Sequence, residues 1–586
     1  MLNIPLKTAD LRIWRSPYSR FGIFVEHPDD LQDETITAEK VYTDRELKRI
    51  ADMGFNGIWV HGQLHHVIRN SHFPEFAPNS EMHLAALRRL CERSAEFGIK
   101  VYIYMQPPRA ISVSETAFWE RHRDVAGQRI STVGDDNRKF EVQSLCTSLP
   151  CVRDYLRESF ADFARLLPEL GGFIIISASE YPAHCYCKRN VKQGPPRPRK
   201  LKMDSVPCEC PRCGKREPEE VVCELLQTIH DGVRSVSSEL KLIFWNWSWS
   251  MYLDPPCEKL ISKLPRDILL LADFERGGYR KDGIYIDEYS LGYSGPSETY
   301  LSVKETAARY GIPVIPKLQL GTTHELATIR TLPIYPSLFR KADYIRKTGT
   351  LGFLGCWNFG NLPSASLKAF HFFLSAENDR NEETALKAFA GAKFPQADPD
   401  QLLRAWHDFA EAMEQYPFSI PFLYNSPINH VLGLIPRPGI LDGRSVGRSW
   451  LPDERGDSYH NCITPVFPLE DIIARLERMT VLWDQGLRIL EKELDTASPE
   501  YVNAAVCGAV WHSGVNMFKI YQLRLKWCDD ALPQYRQLVQ KELENTERAL
   551  PFVLLDPEQG WHIEGDFHSF SVDILKKKIA DLKSQL

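Results

Sequence analysis

Eight apolar runs, the helical patterns between them and the polar residues that end each run predict a (β/α)8 barrel followed by an α-helical region. The runs are RFGIFVEH (20–27), FNGIWVHG (55–62), KVYIYMQP (100–107) and GFIIISASE (172–180), then KLIFWNWSW (241–249), DILLLADFE (267–275), PVIPKLQLG (313–321) and LGFLGCWNFG (351–360). Short, wholly apolar strands alternating with helices are the mark of a parallel sheet covered on both faces. No glycine-rich phosphate fingerprint follows the first run, which argues against an open dinucleotide-binding sheet. Among the helices, TDRELKRIADMG (43–54) has Thr43 as N-cap, Glu46 three residues on and Gly54 at its stop, and EMHLAALRRLCERSAEFG (81–98) also ends in glycine.

Composition narrows the function. The 586 residues are 43% hydrophobic and 25% charged, with net charge −6, so no global basic surface points to nucleic acid. The basic run at 188–202 reads as a solvated, proline-rich loop. No window approaches ~18 uninterrupted apolar residues, so no membrane span is expected. The N-terminal stretch MLNIPLKTADLRIWRSPYS does not read as a signal peptide, and five of the 14 cysteines cluster between Cys185 and Cys213, a metal-like rather than disulfide-like spacing; together these suggest a cytoplasmic protein.

In a barrel the strand ends face one mouth. There the sequence offers Glu26 and His27, His61, Gln106 and Arg109, Ser179 and Glu180, Trp245 and Trp247, Asp273 and Glu275, Lys317 and Gln319, then Trp357 and Asn358. The loop GIYIDEYSLGYSG adds Glu288 and Tyr289. Carboxylates among tryptophans suit a glycan, because indole faces stack on the apolar faces of sugar rings while carboxylates and amides bind hydroxyls. The cluster FWNWSWSMY (244–252) is the sharpest such signal. Glycoside cleavage needs a proton for the leaving oxygen and a negative group facing the oxocarbenium-like carbon. Glu180, emerging from an apolar strand, suits the acid, since desolvation raises a carboxyl pKa.

A glutamate ending the fourth barrel strand, a tryptophan-rich fifth strand and a tryptophan on the eighth resemble the β-N-acetylhexosaminidases and β-N-acetylgalactosaminidases of glycoside hydrolase families 20 and 123 and their relatives. The resemblance covers about residues 15–375 in architecture and rests mainly on Glu180. It implies a retaining exo-enzyme releasing terminal β-linked N-acetylhexosamine, N-acetylgalactosamine before N-acetylglucosamine. In those families an Asp-Glu pair ends this strand: the glutamate protonates the leaving group, and the aspartate orients the acetamide oxygen that attacks the anomeric carbon. This chain has Ser179 in the aspartate's place, so another carboxylate must take that role, with Asp273, Glu288 and Glu325 as candidates. A second resemblance, to the large retaining β-glycosidase clan, would make Glu325 the nucleophile, although Thr322 or Thr323 as N-cap would instead place it in a helix first turn. A sialidase-like hydrolase and a non-catalytic carbohydrate-binding barrel complete the alternatives.

After Glu180 come HCYC (184–187), a long polar loop and CECPRCGKR (208–216). Cys185, Cys187, Cys210 and Cys213 supply thiolates for a structural zinc within an insertion at about 184–216, with His184 and Cys208 as substitutes. No cofactor is expected for catalysis. The divide falls at about residue 375, and residues 376–586 read as mainly helical, with Tyr424 or Trp450 offered to a neighbouring site. The sequence leaves homodimerisation through this region open.

Overall fold

The computed structural model describes residues 10–19, 33–133, 139–177, 181–186, 208–247, 249, 253, 255–357, 360–375 and 381–586. Eight parallel strands close into a barrel: β1 (Leu11–Trp14), β2 (Gly57–His61), β3 (Lys100–Met105), β7 (Gly172–Ile176), β8 (Lys241–Trp245), β9 (Leu269–Asp273), β10 (Val314–Leu318) and β11 (Gly352–Gly355). Strands β4 (Ile111–Ser112), β5 (Ala126–Val133) and β6 (Lys139–Leu145) form a separate antiparallel sheet in the order β4–β6–β5.

The unbroken apolar runs resolve into two faces with a period of two. Trp59, Tyr102, Tyr104, Ile174, Ile176, Ile243, Trp245, Leu271, Ile315 and Leu354 point into the barrel and make one packed cluster. Their neighbours Ile58, Val60, Ile103, Phe173, Ile175, Phe244, Leu270 and Phe353 point outward against the helices and join a second cluster. At the entry to β7, Gly172 has φ +147°, and a Cβ there would lie 1.9 Å from the Lys241 carbonyl oxygen, so only glycine fits between the strands.

Seven of the eight runs are the barrel strands, within a few residues at each end. The first is a correction. Stave one is Leu11–Trp14, in register with Gly352–Leu354 on one side and Gly57–Ile58 on the other. The 20–27 run, with Glu26 and His27, lies outside the described residues. Four residues suffice for this stave because Ile13 and Trp14 are wholly buried, one on each face. The helices Asp44–Asp52 and Ser80–Ala95 follow the expected pattern; Thr43 accepts the Glu46 amide at 3.4 Å, and Gly54 and Gly98 have φ of +85° and +69°.

The inserted β4–β6 sheet, between β3 and the helix Pro150–Leu166, has no counterpart in the sequence reading. Beyond residue 380 the chain is helical, with helices Glu382–Lys393, Pro399–Glu414, Leu469–Glu493, Pro499–Arg524, Leu532–Leu555 and Val572–Gln585. These helices share the outer core of the barrel: Tyr335 packs on Phe389 and Trp406, and its hydroxyl donates to Glu500 at 2.8 Å. No helix among the described residues is long and apolar enough to cross a membrane.

Deep in the helical region, Glu542 and Lys578 are both fully buried with a 2.5 Å contact; Glu542 also accepts from Ser513 and Asn516, while Lys578 also donates to the Val431 and Leu432 carbonyls. Removing one charge strands the other. Lys578→Met should lower unfolding free energy by roughly 3–5 kcal/mol in urea titrations, and pairing it with Glu542→Leu should recover part of that loss.

Candidate active site

At the C-terminal ends of the barrel strands lies a pocket of about 120 Å³. Its floor is aromatic because the last inward-facing residues of β3, β8 and the β11 turn are Tyr104, Trp245 and Trp357. Trp357 stacks on Trp59 at 4.5 Å and meets Trp245 and Tyr104 edge-on at 5.0 Å each. Trp247 follows β8 and lines the same pocket, with the Arg276 guanidinium 5.4 Å from its ring centroid. Indole and phenol faces at the floor with polar groups around the rim match the demands of a sugar ring.

The rim is supplied by separate segments of the chain. The β9 loop brings Glu288 and Tyr289, the β10 end brings Gln319, Thr323 and His324, and the C-terminal region brings Tyr424 and Glu564. Glu288 accepts hydrogen bonds from its neighbour's amide, Tyr289 N, at 2.9 Å and from the Tyr424 hydroxyl at 2.9 Å. Tyr289 lays its ring over Lys317, whose ammonium sits 3.0 Å from the centroid. Burial pulls Lys317 down to about 8, against the opposing pull of Glu275 and Asp273. Burial also pushes Asp273 up, partly offset by Arg276 and Lys317, and Asp273 accepts the Trp245 indole N–H at 3.1 Å.

Two buried charges fix the β9 loop. Lys341, from the helix Tyr335–Thr348, donates to Glu275 at 2.6 Å, to the Ser290 carbonyl at 2.9 Å and to the Gln319 carbonyl at 2.8 Å. Glu325 accepts from Ser290 Oγ at 2.6 Å, Leu291 N at 2.8 Å, Thr323 Oγ1 at 3.3 Å and Gly292 N at 3.4 Å. Glu325 therefore grips the loop that carries Glu288, rather than starting a helix or lining the pocket. Burial raises its pKa against these hydrogen bonds.

Among the other residues singled out by sequence, His61 is buried beside Tyr104, ring centroids 4.7 Å apart, and does not line the pocket; burial, with Arg109 and Arg15 nearby, keeps it neutral. Glu26, Ser179, Glu180 and Asn358 lie outside the described residues. The residues flanking Ser179 and Glu180 are tied down. Ser177 Oγ accepts the Trp249 indole N–H at 2.9 Å, and its carbonyl contacts His184 Nε2. Pro182 O accepts the Ala110 amide at 2.9 Å, and the Arg109 guanidinium lies 3.5 Å from the Tyr181 ring centroid. His184 also accepts the Tyr186 amide on Nδ1 at 3.2 Å, which commits both ring nitrogens and removes it as a metal-ligand substitute.

Cys185, Cys210 and Cys213 do converge, but the fourth buried thiol of the group is Cys146, at the end of the inserted sheet; Cys208, the other substitute, is only partly buried and touches Cys185 from the edge, and Cys187 lies outside the described residues. Sequence reasoning also missed Glu564, Thr323 and His324 at the rim and Tyr104 at the floor. Tyr104 was within reach, as the last inward position of β3 by simple alternation. Cys146 and Glu564 arrive from distant segments and carry no local signal.

A larger hollow of about 670 Å³ lies on the flank, between the loops after β2 and β3, lined by Asp33, His65, His66, Glu75, His83 and Phe118 among others. It stands off the barrel mouth and has no indole in its wall, so the smaller pocket is the better site for barrel chemistry.

No family model matches the chain, and no curated protein sequence matches it. Among solved structures, the chain is similar to a GH138 enzyme targeting pectin rhamnogalacturonan II, with 12% identity and TM-score 0.52 over 98% of this chain and 67% of that one. It is similar to a family 89 glycoside hydrolase from Clostridium perfringens, solved with GlcNAc-alpha-1,4-galactose, with 10% identity and TM-score 0.50 over 99% of this chain and 58% of that one. A GH20 exo-β-N-acetylglucosaminidase from Vibrio harveyi aligns with 12% identity and TM-score 0.36 over 66% of this chain and 57% of that one. At such identities the likeness is one of fold, and this chain spans about 58–67% of the length of the first two structures. These structural neighbours are glycoside hydrolases, and the barrel with its helical C-terminal region is an architecture they share.

Because Lys317 titrates near 8 in the folded chain against 10.5 ordinarily, the unfolded state binds more protons between those values, and stability contributed by this group rises with pH there. Urea titrations at stepped pH should show the wild type gaining up to roughly 3 kcal/mol over that window relative to Lys317→Met.

Proposed function

We propose that the chain is a glycoside hydrolase that binds a terminal sugar in the barrel-mouth pocket, with a β-linked N-acetylhexosaminide as its substrate. The observation that carries the proposal is the pairing of an aromatic floor, Tyr104, Trp245 and Trp357, with a carboxylate, Glu288, on its rim. The neighbours support the class: one is named for pectin rhamnogalacturonan II, and another was solved with a GlcNAc-containing disaccharide.

In this reading Glu180, which follows β7 in the chain, gives its proton to the glycosidic oxygen as the C1–O bond breaks. The substrate's acetamide oxygen attacks C1, and Glu288 accepts the N–H of the oxazolinium that forms, a role in which Tyr424 holds it. Water, deprotonated by the Glu180 carboxylate, then opens that ring and returns the sugar with its original anomeric configuration. Of the three carboxylates weighed against Ser179, Glu288 is preferred because it lines the pocket, whereas Asp273 is engaged by Trp245 and Glu325 by the β9 loop. No catalytic cofactor enters the scheme.

Chromogenic N-acetylhexosaminides, plain hexosides, uronides and sialosides, each in both anomers, test the class. Turnover confined to the β-N-acetylhexosaminides is expected, because the acetamide oxygen can displace only a leaving group trans to it; no turnover of any would overturn the enzyme reading in favour of a carbohydrate-binding barrel. Glu180→Gln and Glu288→Gln should each lose at least ~10² in kcat/KM on unactivated substrates, with Glu180→Gln partly restored by a leaving group that needs no proton. An N-acetylglycosyl thiazoline should inhibit competitively; insensitivity would point instead to an enzymatic nucleophile.

A further inference from the structure

Four thiols from three segments meet on the flank of the barrel. Cys146 follows β6, Cys185 lies in the loop after β7, and Cys210 and Cys213 occupy the turn before the helix Pro218–Arg234. All four are buried, and their sulfurs all lie within 4.8 Å of one another. Cys146 Sγ is 3.6 Å from Cys210 Sγ and 3.7 Å from Cys213 Sγ. A disulfide would need about 2.05 Å. Four thiolates on one tetrahedral ion with metal–sulfur bonds of about 2.3 Å must stand about 3.8 Å apart, the edge of that tetrahedron.

The surroundings are built for sulfur. Ser144 Oγ lies 3.4 Å from Cys185 Sγ, and Ser148 Oγ lies 3.2 Å from Cys213 Sγ. Arg216 donates to that same Ser148 hydroxyl at 2.9 Å, bringing positive charge to the edge of the cluster. At Gly127 on β5, a Cβ would come within 2.6 Å of Cys185 Sγ, so the sheet reaches the sulfur only because this residue has no side chain. Hydroxyls and a cation set around the ligands are the outer support that metal thiolates require.

We propose that Cys146, Cys185, Cys210 and Cys213 form a closed tetrathiolate site for one zinc ion, which clamps the inserted sheet to the loop following β7. Four sulfurs complete the coordination shell, so the ion has a structural and not a hydrolytic part. The clamp bears on residues 181–186 directly: the Tyr186 hydroxyl contacts the Cys213 and Arg216 carbonyls at 2.8 and 2.7 Å, and Pro182 is tied to the β3 loop through Ala110. Metal binding stands on these distances alone and does not depend on the glycosidase reading.

The test is metal analysis of the full chain purified under reducing conditions, with zinc supplied and excess removed by gel filtration. One equivalent of zinc per chain is expected, and cobalt loaded in its place should give the intense visible bands of a tetrahedral thiolate site. Cys146→Ser should weaken zinc binding by more than ~100-fold in a chelator competition, beyond the usual cost of losing an outer-shell partner, while Cys187→Ser should leave it unchanged. Where Cys146→Ser does not yield folded protein, thiol alkylation of the wild type with and without chelator, read by peptide mass, replaces it. Protection of residues 146, 185, 210 and 213 upholds the site. A wild type that binds no zinc, full binding by Cys146→Ser, or protection of Cys187 in place of Cys146 would each overturn it.

Discussion

Lys341 reaches inward from its helix to a place with no access to water, where its ammonium donates to the Glu275 carboxylate and to the carbonyls of Ser290 and Gln319. Burying a lysine and a glutamate costs several kcal/mol each in desolvation, offset here by three hydrogen bonds from the ammonium and two to one Glu275 oxygen. Here the bonds run to two loops at once. Glu275 in turn accepts the Gln319 amide, so the end of β10 and the β9 loop are fixed to a single charge pair. Glu325 repeats the device from the other side, spending its carboxylate on Ser290, Leu291 and Gly292. Gln319, Glu288 and Tyr289, three rim residues on loops with no regular structure, inherit their positions from these two buried side chains.

The helical region serves the same pocket. Asn429 accepts the Ala327 amide and donates to the His324 carbonyl, and Ser449 bonds both Asn429 and His562. This buried polar knot joins the segment after β10 to two separated stretches of the C-terminal chain. From it project Tyr424 and Glu564, the two C-terminal residues lining the pocket. Trp450 lies one layer behind, edge-on to Tyr424 at 5.0 Å and beside His324 at 5.2 Å. A buried network of this kind favours one arrangement of its members, because moving any of them breaks hydrogen bonds that water cannot replace.

Much of the barrel was legible because strand periodicity is a local property. An apolar run such as GFIII carries both of its faces in five consecutive residues, and the helix after Thr43 announces its cap within four. The first stave was misplaced for a related reason: RFGIFVEH is the longer run, while LRIW is short and is fixed as a strand only by pairing with β2 and the distant β11. The same limit explains the site. Trp245, Trp247, Trp357, Gln319, Glu288 and Tyr289 follow from strand ends and an adjacent loop, and they line one pocket. The clamp made by Glu325 and the arrival of Glu564 and Cys146 depend on contacts 33 to several hundred residues apart in sequence, which no window of neighbours contains.

The wall that Tyr424 and Glu564 contribute has a bearing on what the barrel is by itself. Eight staves and their covering helices end at Leu374, and sheet closure needs nothing beyond that point. The outer helical layer, however, continues through Phe389 and Trp406 without a seam, and the mouth lacks one side until residue 424 arrives. A severed barrel would present raw apolar flank to water, with a binding hollow open on the side where recognition is finished. The residues that cover the barrel's apolar flank and those that close its pocket thus come from the same C-terminal region.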